Sequence, residues 1–281
     1  MSCYLCGSSE FKYRDGEVRD NKELKVKECN NCSLVYLSDF SHVDDGFYED
    51  SNMHENFDLD RWNKETDTDD KRRYEFTKEL INNKDILDFG SGNGGYLHYA
   101  SKEAKSISAL ELEAAISQQY KEYGIELFRD IKELNKKFDV ITMFHVMEHL
   151  PNPKEMIKQL SSNLKDDGKI IVEVPNSDDA LLSLYESESF SKFTYWSCHL
   201  FLFNAKTLQE LVKQCGLKID FIKHIQRYPL SNHLYWLSKN KAGGHQKWGK
   251  FLDSDALSDA YENSLASMGK TDTLVAQISK V

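Results

Sequence analysis

From residue 71 onward the apolar positions fall into two alternating rhythms. DILDF (85–89), SISALEL (106–112), IELF (125–128), FDVITMF (138–144) and GKIIVEVP (168–175) are short runs in which apolar residues dominate, the pattern of strands covered on both faces. Between them, KRRYEFTKELIN, GGYLHYASKEA, EAAISQQYKEYG and PKEMIKQLSSNLKDDG carry apolar residues at helical spacing, the last entered through Pro153 and closed by Gly168. Strands alternating with helices predict an α/β protein with a parallel, doubly wound sheet. NAKTLQELVKQCG adds a helix capped by Asn204 and Gly216, and LKIDFIKHIQ and TLVAQIS add a sixth and a seventh strand. The usual crossover is missing between these two. An insertion over 227–270 replaces it, with NHLYWLSK and KFLDSDALSDAYENSLASM read as two helices.

The first 40 residues have a different texture. Cys3 and Cys6 form one C-x2-C knuckle and Cys29 and Cys32 another. Two such knuckles complete a tetrahedral four-thiolate site of the kind zinc favours. FKYR, a turn at Asp15–Gly16 and ELKVKE read as a hairpin, and LVYL as a further strand. The expected organisation is therefore a zinc ribbon over 1–40, an acidic connector without clean period over 41–70, and an α/β domain over 71–281.

Charge narrows the partners. With 46 acidic against 36 basic residues the net charge is -10, so a nucleic-acid backbone is not the expected partner. No apolar run reaches the roughly 18 residues of a membrane span, and the N-terminus lacks a signal-peptide layout. A cytoplasmic location is expected, where paired cysteines bind metal rather than form disulfides.

The loop after the first strand of the α/β domain, LDFGSGNGGY, fits two cofactors. Gly90, Gly92 and Gly95 spell the dinucleotide fingerprint, while Gly90, Gly92 and Gly94 spell the loop of S-adenosylmethionine (SAM) enzymes. Asp88 discriminates, because its carboxylate repels a pyrophosphate and attracts the ammonium of SAM. Glu111, ending the second strand, suits the two hydroxyls of a ribose in either case. Asp130, after the third strand, either accepts from an adenine amino group or is a plain surface acid.

DILDFGSGNG, the acid in ALELEAA, FDVITMFHVMEHLPNP and GKIIVEVPN resemble, in order and spacing, the motifs of class I SAM-dependent methyltransferases. The resemblance spans 71–281 and implies a Rossmann-like seven-stranded sheet whose last two strands form an antiparallel edge pair. It assigns SAM contacts to Asp88, Gly90, Ser91, Gly92, Gly94, Glu111, Leu112, Asp130 and Ile131, with Phe144 and His145 beside the adenosine and the methyl group. The cysteine ribbon resembles the N-terminal module of some sugar and small-molecule methyltransferases. That implies methyl transfer to oxygen of a small polar acceptor, a sugar, sugar nucleotide or phosphorylated intermediate of surface-polysaccharide synthesis.

Three stretches bear on the chemistry. HVMEH (145–149) matches a zinc-protease pattern, but Pro151 and Pro153 deny it the long helix that pattern needs. In ubiquinone-type O-methyltransferases the equivalent loop can hold a divalent ion; otherwise Glu148 and His149 pack it. In FTYWSCHLFLF, His199 is either a base at the pocket, alongside His145, or a support beneath the loop, and Cys198 and Cys215 are buried thiols. The insertion gathers Arg227, Asn232, His233, Lys241 and His245 with Tyr228, Tyr235 and Trp236, and Gly243–Gly244 as a hinge. Donors between aromatic platforms suit a sugar-like or anionic ligand; the plainer reading is a helical lid filled by its own aromatics. The rivals are an RNA methyltransferase gripping RNA by its ribbon, a quinone-type O-methyltransferase, and a non-catalytic SAM-binding partner.

Overall fold

The computed structural model describes residues 2–43, 58–113 and 116–281. The middle of the predicted connector, 44–57, lies outside the described residues, as do Ala114 and Ala115 of the predicted third helix.

The N-terminal module contributes β1 (Phe11–Tyr13), β2 (Val26–Cys29) and β3 (Val35–Leu37), paired antiparallel in that order. The α/β domain follows with α1 (Leu59–Ile81), β4 (Asp85–Phe89), α2 (Gly95–Ala100), β5 (Ser106–Leu110), α3 (Ser117–Glu122), β6 (Glu126–Phe128) and β7 (Phe138–Phe144). Next come α4 (Pro153–Ser162), β8 (Leu164–Pro175), α5 (Ala180–Ser183), α6 (Glu188–Thr194), β9 (Phe201–Leu202), α7 (Ala205–Gln214) and β10 (Leu217–Ile225). Three helices, α8 (Leu230–Lys239), α9 (Gly244–Leu252) and α10 (Asp255–Ser267), precede β11 (Thr273–Lys280).

Seven strands form the main sheet in the order β6-β5-β4-β7-β8-β11-β10. The expected parallel, doubly wound sheet is present: β5, β6, β7 and β8 pair parallel, and β11 runs antiparallel to both β8 and β10, as the edge pair required. Ile86, Leu87, Ile141, Met143, Ile170, Ile171 and Val172 are fully buried, which is why these strands read as apolar runs rather than alternations. Ser, Asn and Pro at helix starts do the positioning: Asn204 and Thr207 form a reciprocal capping box on α7, and Pro153 opens α4.

Three boundaries differ from the sequence expectation, each for a local reason. Helix α1 begins at Leu59, not 71, with Asp58 accepting from the Arg61 N–H. The connector expected over 41–70 thus overlaps the helix, because Thr66, Asp69 and Asp70 face the cavity as polar residues and leave its first half without an apolar period. Helix α4 stops at Ser162, and the chain enters β8 at Leu164 with a register shift opposite Phe138 and Val140, so 165–168 bulge from the strand instead of closing the helix. The insertion holds three helices, because Ser254 caps a new one where a single long helix was expected. Gly244 is no hinge there: a Cβ on it would sit 2.4 Å from the Ser231 carbonyl oxygen, so it is the contact point between α8 and α9.

The ribbon is not free-standing. Its sheet is completed by β9, with Val35 opposite Leu202 and Tyr36 opposite Phe201. One hydrophobic cluster runs from Cys3, Leu34 and Tyr36 through Phe201 and Phe203 to Leu208, Met143 and Leu160. Polar contacts pin the rest: the Lys154 N–H donates to the Tyr4 hydroxyl, Gln214 to the Leu5 carbonyl, Arg14 to the Ser177 carbonyl, and Ser197 to Asp20. Removing residues 1–43 is therefore expected to uncover β9 and abolish a cooperative melt or solubility; a 58–281 fragment melting within about 3 °C of the full chain would contradict a shared core.

Candidate active site

The turn from β4 into α2 is built on residues that must approach other backbone closely. Gly90 has φ +68°, and a Cβ there would lie 2.5 Å from a Val146 methyl, so this glycine lets the loop after β7 close on the loop after β4. The Gly92 N–H donates to Glu111 Oε2 at 2.8 Å, and the Glu113 N–H to Oε1 at 2.9 Å. Ser91 donates to the Tyr120 hydroxyl, which donates onward to the Gly92 carbonyl. Gly94 takes a left-handed conformation just before α2. Asn93 donates to Asn63 and Thr66, both at 2.8 Å, and thereby ties the loop to α1.

These groups wall a cavity of about 550 Å³ at the carboxyl ends of β4, β5 and β7, roofed by α1. Among the described residues its charged lining is Glu65, Asp69, Asp70, Asp88, Glu111 and Glu113 against Arg73 and Arg227. A surplus of carboxylates favours a cationic ligand and disfavours a diphosphate. Asp88 is buried, accepts from the Thr142 hydroxyl at 2.6 Å, and has its pKa pushed up to about 7 by burial, against the opposing Thr142 bond. Burial likewise raises Glu111, against its backbone donors. Phe144 packs edge-on against Tyr96, and Leu112 stands at the rim. Asp130 and Ile131 do not line the cavity: Asp130 is exposed and caps a single 3₁₀ turn, Ile131–Glu133, by accepting from the Lys132 N–H.

Glu173, on β8, anchors a charged cluster beside the cavity. It has no exposed surface. Arg72 reaches both its oxygens at 3.0 Å, Arg73 reaches Oε1 at 2.8 Å, and His145 Nε2 lies 3.2 Å away. His145 sits at φ 55°, its Nδ1 3.2 Å from Glu148 Oε1. Burial and the neighbouring Arg227 disfavour its charged form, yet the bonds to Glu148 and Glu173 prevail and raise its pKa. Its Nε2 also lies 3.0 Å from the Arg227 guanidinium, so His145 lines the cavity while tied to Glu148, Glu173 and Arg227. Glu148 is fully buried; burial pushes it upward, but His145 holds it down at about 2.

His199, the other expected base, does not line the cavity. It packs edge-on against His149 at 4.9 Å and borders a small void beneath Tyr36 and Trp196, and burial lowers its pKa to about 3. Two imidazoles line the cavity, those of His145 and His149, and burial lowers the second from its usual value. In sequence it was indistinguishable from a loop-packing residue.

Of the eight insertion residues gathered as candidates for reading the acceptor, Arg227 alone lines the cavity. It bonds both oxygens of Asp69 through Nε at 3.1 Å, and burial of Asp69 is outweighed by Arg227, which holds that carboxyl at about 2. Asn232, His233 and Trp236 are interior to the insertion. Asn232 accepts from the Gly244 N–H, His233 pairs with Tyr261, and Trp236 packs on Phe190 and Phe193. His245 leans on Tyr228, and Tyr228 and Lys241 point outward. Here the plainer reading of the aromatics holds. Conversely, Trp62, Glu65, Thr66, Asp69, Asp70 and Arg73 were missed altogether.

The four N-terminal cysteines converge. The Cys3–Cys32 and Cys6–Cys29 sulfur separations are 3.5 and 3.4 Å, and none is in a disulfide. Tetrahedral zinc with bonds of about 2.3 Å needs sulfurs roughly 3.8 Å apart, so the set fits such an ion with small outward shifts. Burial opposes ionisation of Cys6, but hydrogen bonds from Asn31 and Ser8 lower it to about 6, toward the thiolate a metal takes.

A methyltransferase-domain family matches residues 59–220, beginning where α1 begins. The tRNA U34 carboxymethyltransferase of Nautilia profundicola is 31% identical over 104 residues, 33% of this chain and 35% of that one, so the chain spans about a third of that relative. The ubiquinone biosynthesis O-methyltransferase of Pseudomonas fluorescens is 22% identical over 180 residues, 57% of this chain and 77% of the relative. In fold, the magnesium protoporphyrin IX methyltransferase of Synechocystis with bound SAH superposes with a TM-score of 0.53 at 10% identity, covering 86% of this chain and all of that one (100%). A SAM-dependent methyltransferase of Thermotoga maritima, described as a possible histamine N-methyltransferase, gives 0.52 at 17% identity, covering 84% and 98%. Among the described residues no helix is long and apolar enough to cross a membrane.

The Asp69–Arg227 pair joins the roof helix to the insertion and is open to a direct check. Arg227→Ala is expected to lower stability by about 1–3 kcal/mol, and distinctly less when Asp69 is already Asn. Urea unfolding of the four proteins measures the coupling; strict additivity would show that the pair contributes nothing.

Proposed function

This chain belongs to the methyltransferase-domain family of SAM-dependent enzymes, and on that premise we propose that it transfers a methyl group to an oxygen of a small polar acceptor bound beside Arg227 and His149. The observation that carries the reading is the acid-rich cavity at the carboxyl ends of β4, β5 and β7. Asp88 would face the ammonium of SAM, Glu111 the ribose hydroxyls, and Leu112 and Phe144 the adenosine. SAM supplies a methyl group on a sulfonium, already activated for displacement. The protein's part is to align the acceptor and exclude water. His149, at the cavity wall and biased to the neutral form, is placed either to take a proton from an acceptor hydroxyl or to ligate a metal.

An uncharged sugar is the acceptor we favour, because the carboxylates and the carboxylate-paired guanidinium groups of Arg73 and Arg227 at the cavity can accept from and donate to its hydroxyls. A phenol of the quinone type is the second reading. It is supported by the ubiquinone O-methyltransferase relative and by the apolar Val146 and Leu150 at the wall. An RNA acceptor is disfavoured by the net charge of -10 and the acidic lining. We assign the four-cysteine site to zinc in a structural role, since four thiolates leave no open position. Incubating the enzyme with SAM and panels of sugar nucleotides, phosphorylated sugars and phenols, with products read by mass, decides among the acceptors. A gain of one methyl on a phenol alone would overturn the sugar reading.

Asp88 also sets a pH dependence. Its pKa of about 7 in the ligand-free fold lies above the ordinary carboxyl value, so the fold favours the neutral form and loses stability as pH rises through 7. A cationic ligand favours the ionised form, so binding below pH 7 must release a proton. SAM affinity is expected to rise up to tenfold per pH unit below about 7 and to level off above it. Asp88→Asn should bind weakly with a flat profile. Calorimetric titration between about pH 5.5 and 8.5 tests this, and a flat wild-type profile would remove Asp88 from the cofactor site.

A further inference from the structure

On the far side of His149 from the cavity, two segments distant in sequence bring metal-ligating atoms together. His149 follows β7, and Cys198 and His199 precede β9. The nearest ring nitrogens and the thiol sulfur all lie within 4.8 Å of one another. Cys198 is buried, and the two rings meet nearly at right angles. The Leu200 N–H donates to the Glu148 carbonyl at 2.8 Å, which staples one segment to the other at this point.

Two polar atoms at the junction are buried with no hydrogen-bond partner: Nδ1 of His199 and Oε2 of Glu148, the latter on a residue with no exposed surface. A buried carboxylate oxygen or ring nitrogen normally finds a partner, because leaving one unpaired forfeits its hydration without compensation. Water could serve one such atom. Two imidazoles and a thiol at this spacing are, however, a donor set for a borderline-soft cation.

We propose that His149, Cys198 and His199 bind a second divalent metal ion of the zinc type. Three protein ligands and one further position is the pattern of an open rather than a closed zinc site. Of the three ligands His149 alone lines the cavity, so the ion sits behind the cavity wall. In the metal-loaded protein His149 is a ligand, not a base. The site differs in kind from the four-thiolate knuckle and requires neither SAM nor an acceptor to fill.

The test is metal content in the full-length chain without SAM or acceptor. Protein produced with zinc supplementation and passed over a weak chelator is analysed for zinc against protein. The wild type is expected to hold about two ions per chain, and Cys198→Ala and the double variant His199→Ala/Cys198→Ser about one. Cys198→Ala removes a single buried sulfur and keeps the test decisive should the double variant fail to fold. Cobalt(II) substitution gives a second readout: the sulfur-to-metal absorption from the Cys198 site disappears in Cys198→Ala while that of the tetrathiolate persists. Equal zinc content in wild type and Cys198→Ala, with unchanged cobalt spectra, would overturn the proposal. As no turnover is measured, that outcome leaves the methyl-transfer reading standing, and failure of methyl transfer leaves this one standing.

Discussion

The arrangement depends on finding partners for one carboxylate. Glu173 lies on β8, near the carboxyl end of the sheet, with no exposed surface, and an isolated buried charge of that kind costs several kcal/mol. Arg72 and Arg73 answer it from α1 and His145 from the turn after β7. To bring both arginines there, α1 must lie across the carboxyl ends of the strands, and so it becomes the roof of the cavity. Arg72 also meets Asp69, and Asp69 holds Arg227 of the insertion. His145 in turn orients Glu148. Roof, floor loop and insertion are thus registered against a single side chain, in a network whose members would be costly to remove singly.

The second constraint acts from beneath. The segment that supplies Cys198 and His199 runs straight into β9, the strand that completes the ribbon sheet. The loop carrying His149 is thereby wedged between the cavity and the N-terminal module. The N-terminal module reaches the floor of the cavity through β3 and β9, and among the described residues none of 2–43 lines the cavity. This is preorganisation by a supporting layer, the usual requirement for placing catalytic groups well.

What could be read from the sequence was whatever repeats or is locally spaced. The seven strands, the glycine turn, Glu111 at a strand end and the cysteine knuckles each follow from a short-range rule and are where they were expected. The first half of α1 was hidden because its inward face meets the cavity, so Thr66, Asp69 and Asp70 supply no apolar period to detect. His149 and His199 could not be told apart because they meet across two loops, and no spacing rule says which ring turns to the cavity. Asn232, His233 and Trp236 misled for the opposite reason: aromatics interleaved with donors describe the inside of a small helical insertion as well as they describe a sugar platform.

The borrowed strand also has a consequence for the order of synthesis. The N-terminal module is synthesised before the α/β domain, and its two cysteine pairs are complete once residue 32 has emerged. Its sheet is not, because Val35 and Tyr36 find their partners only when Phe201 and Leu202 arrive. Throughout most of translation β3 is an edge with buried-type residues exposed, the condition that invites mispairing in a nascent chain. Closing the thiolate site early would hold that edge short and folded while it waits, which gives the N-terminal cysteines a part in assembly as well as in the finished protein.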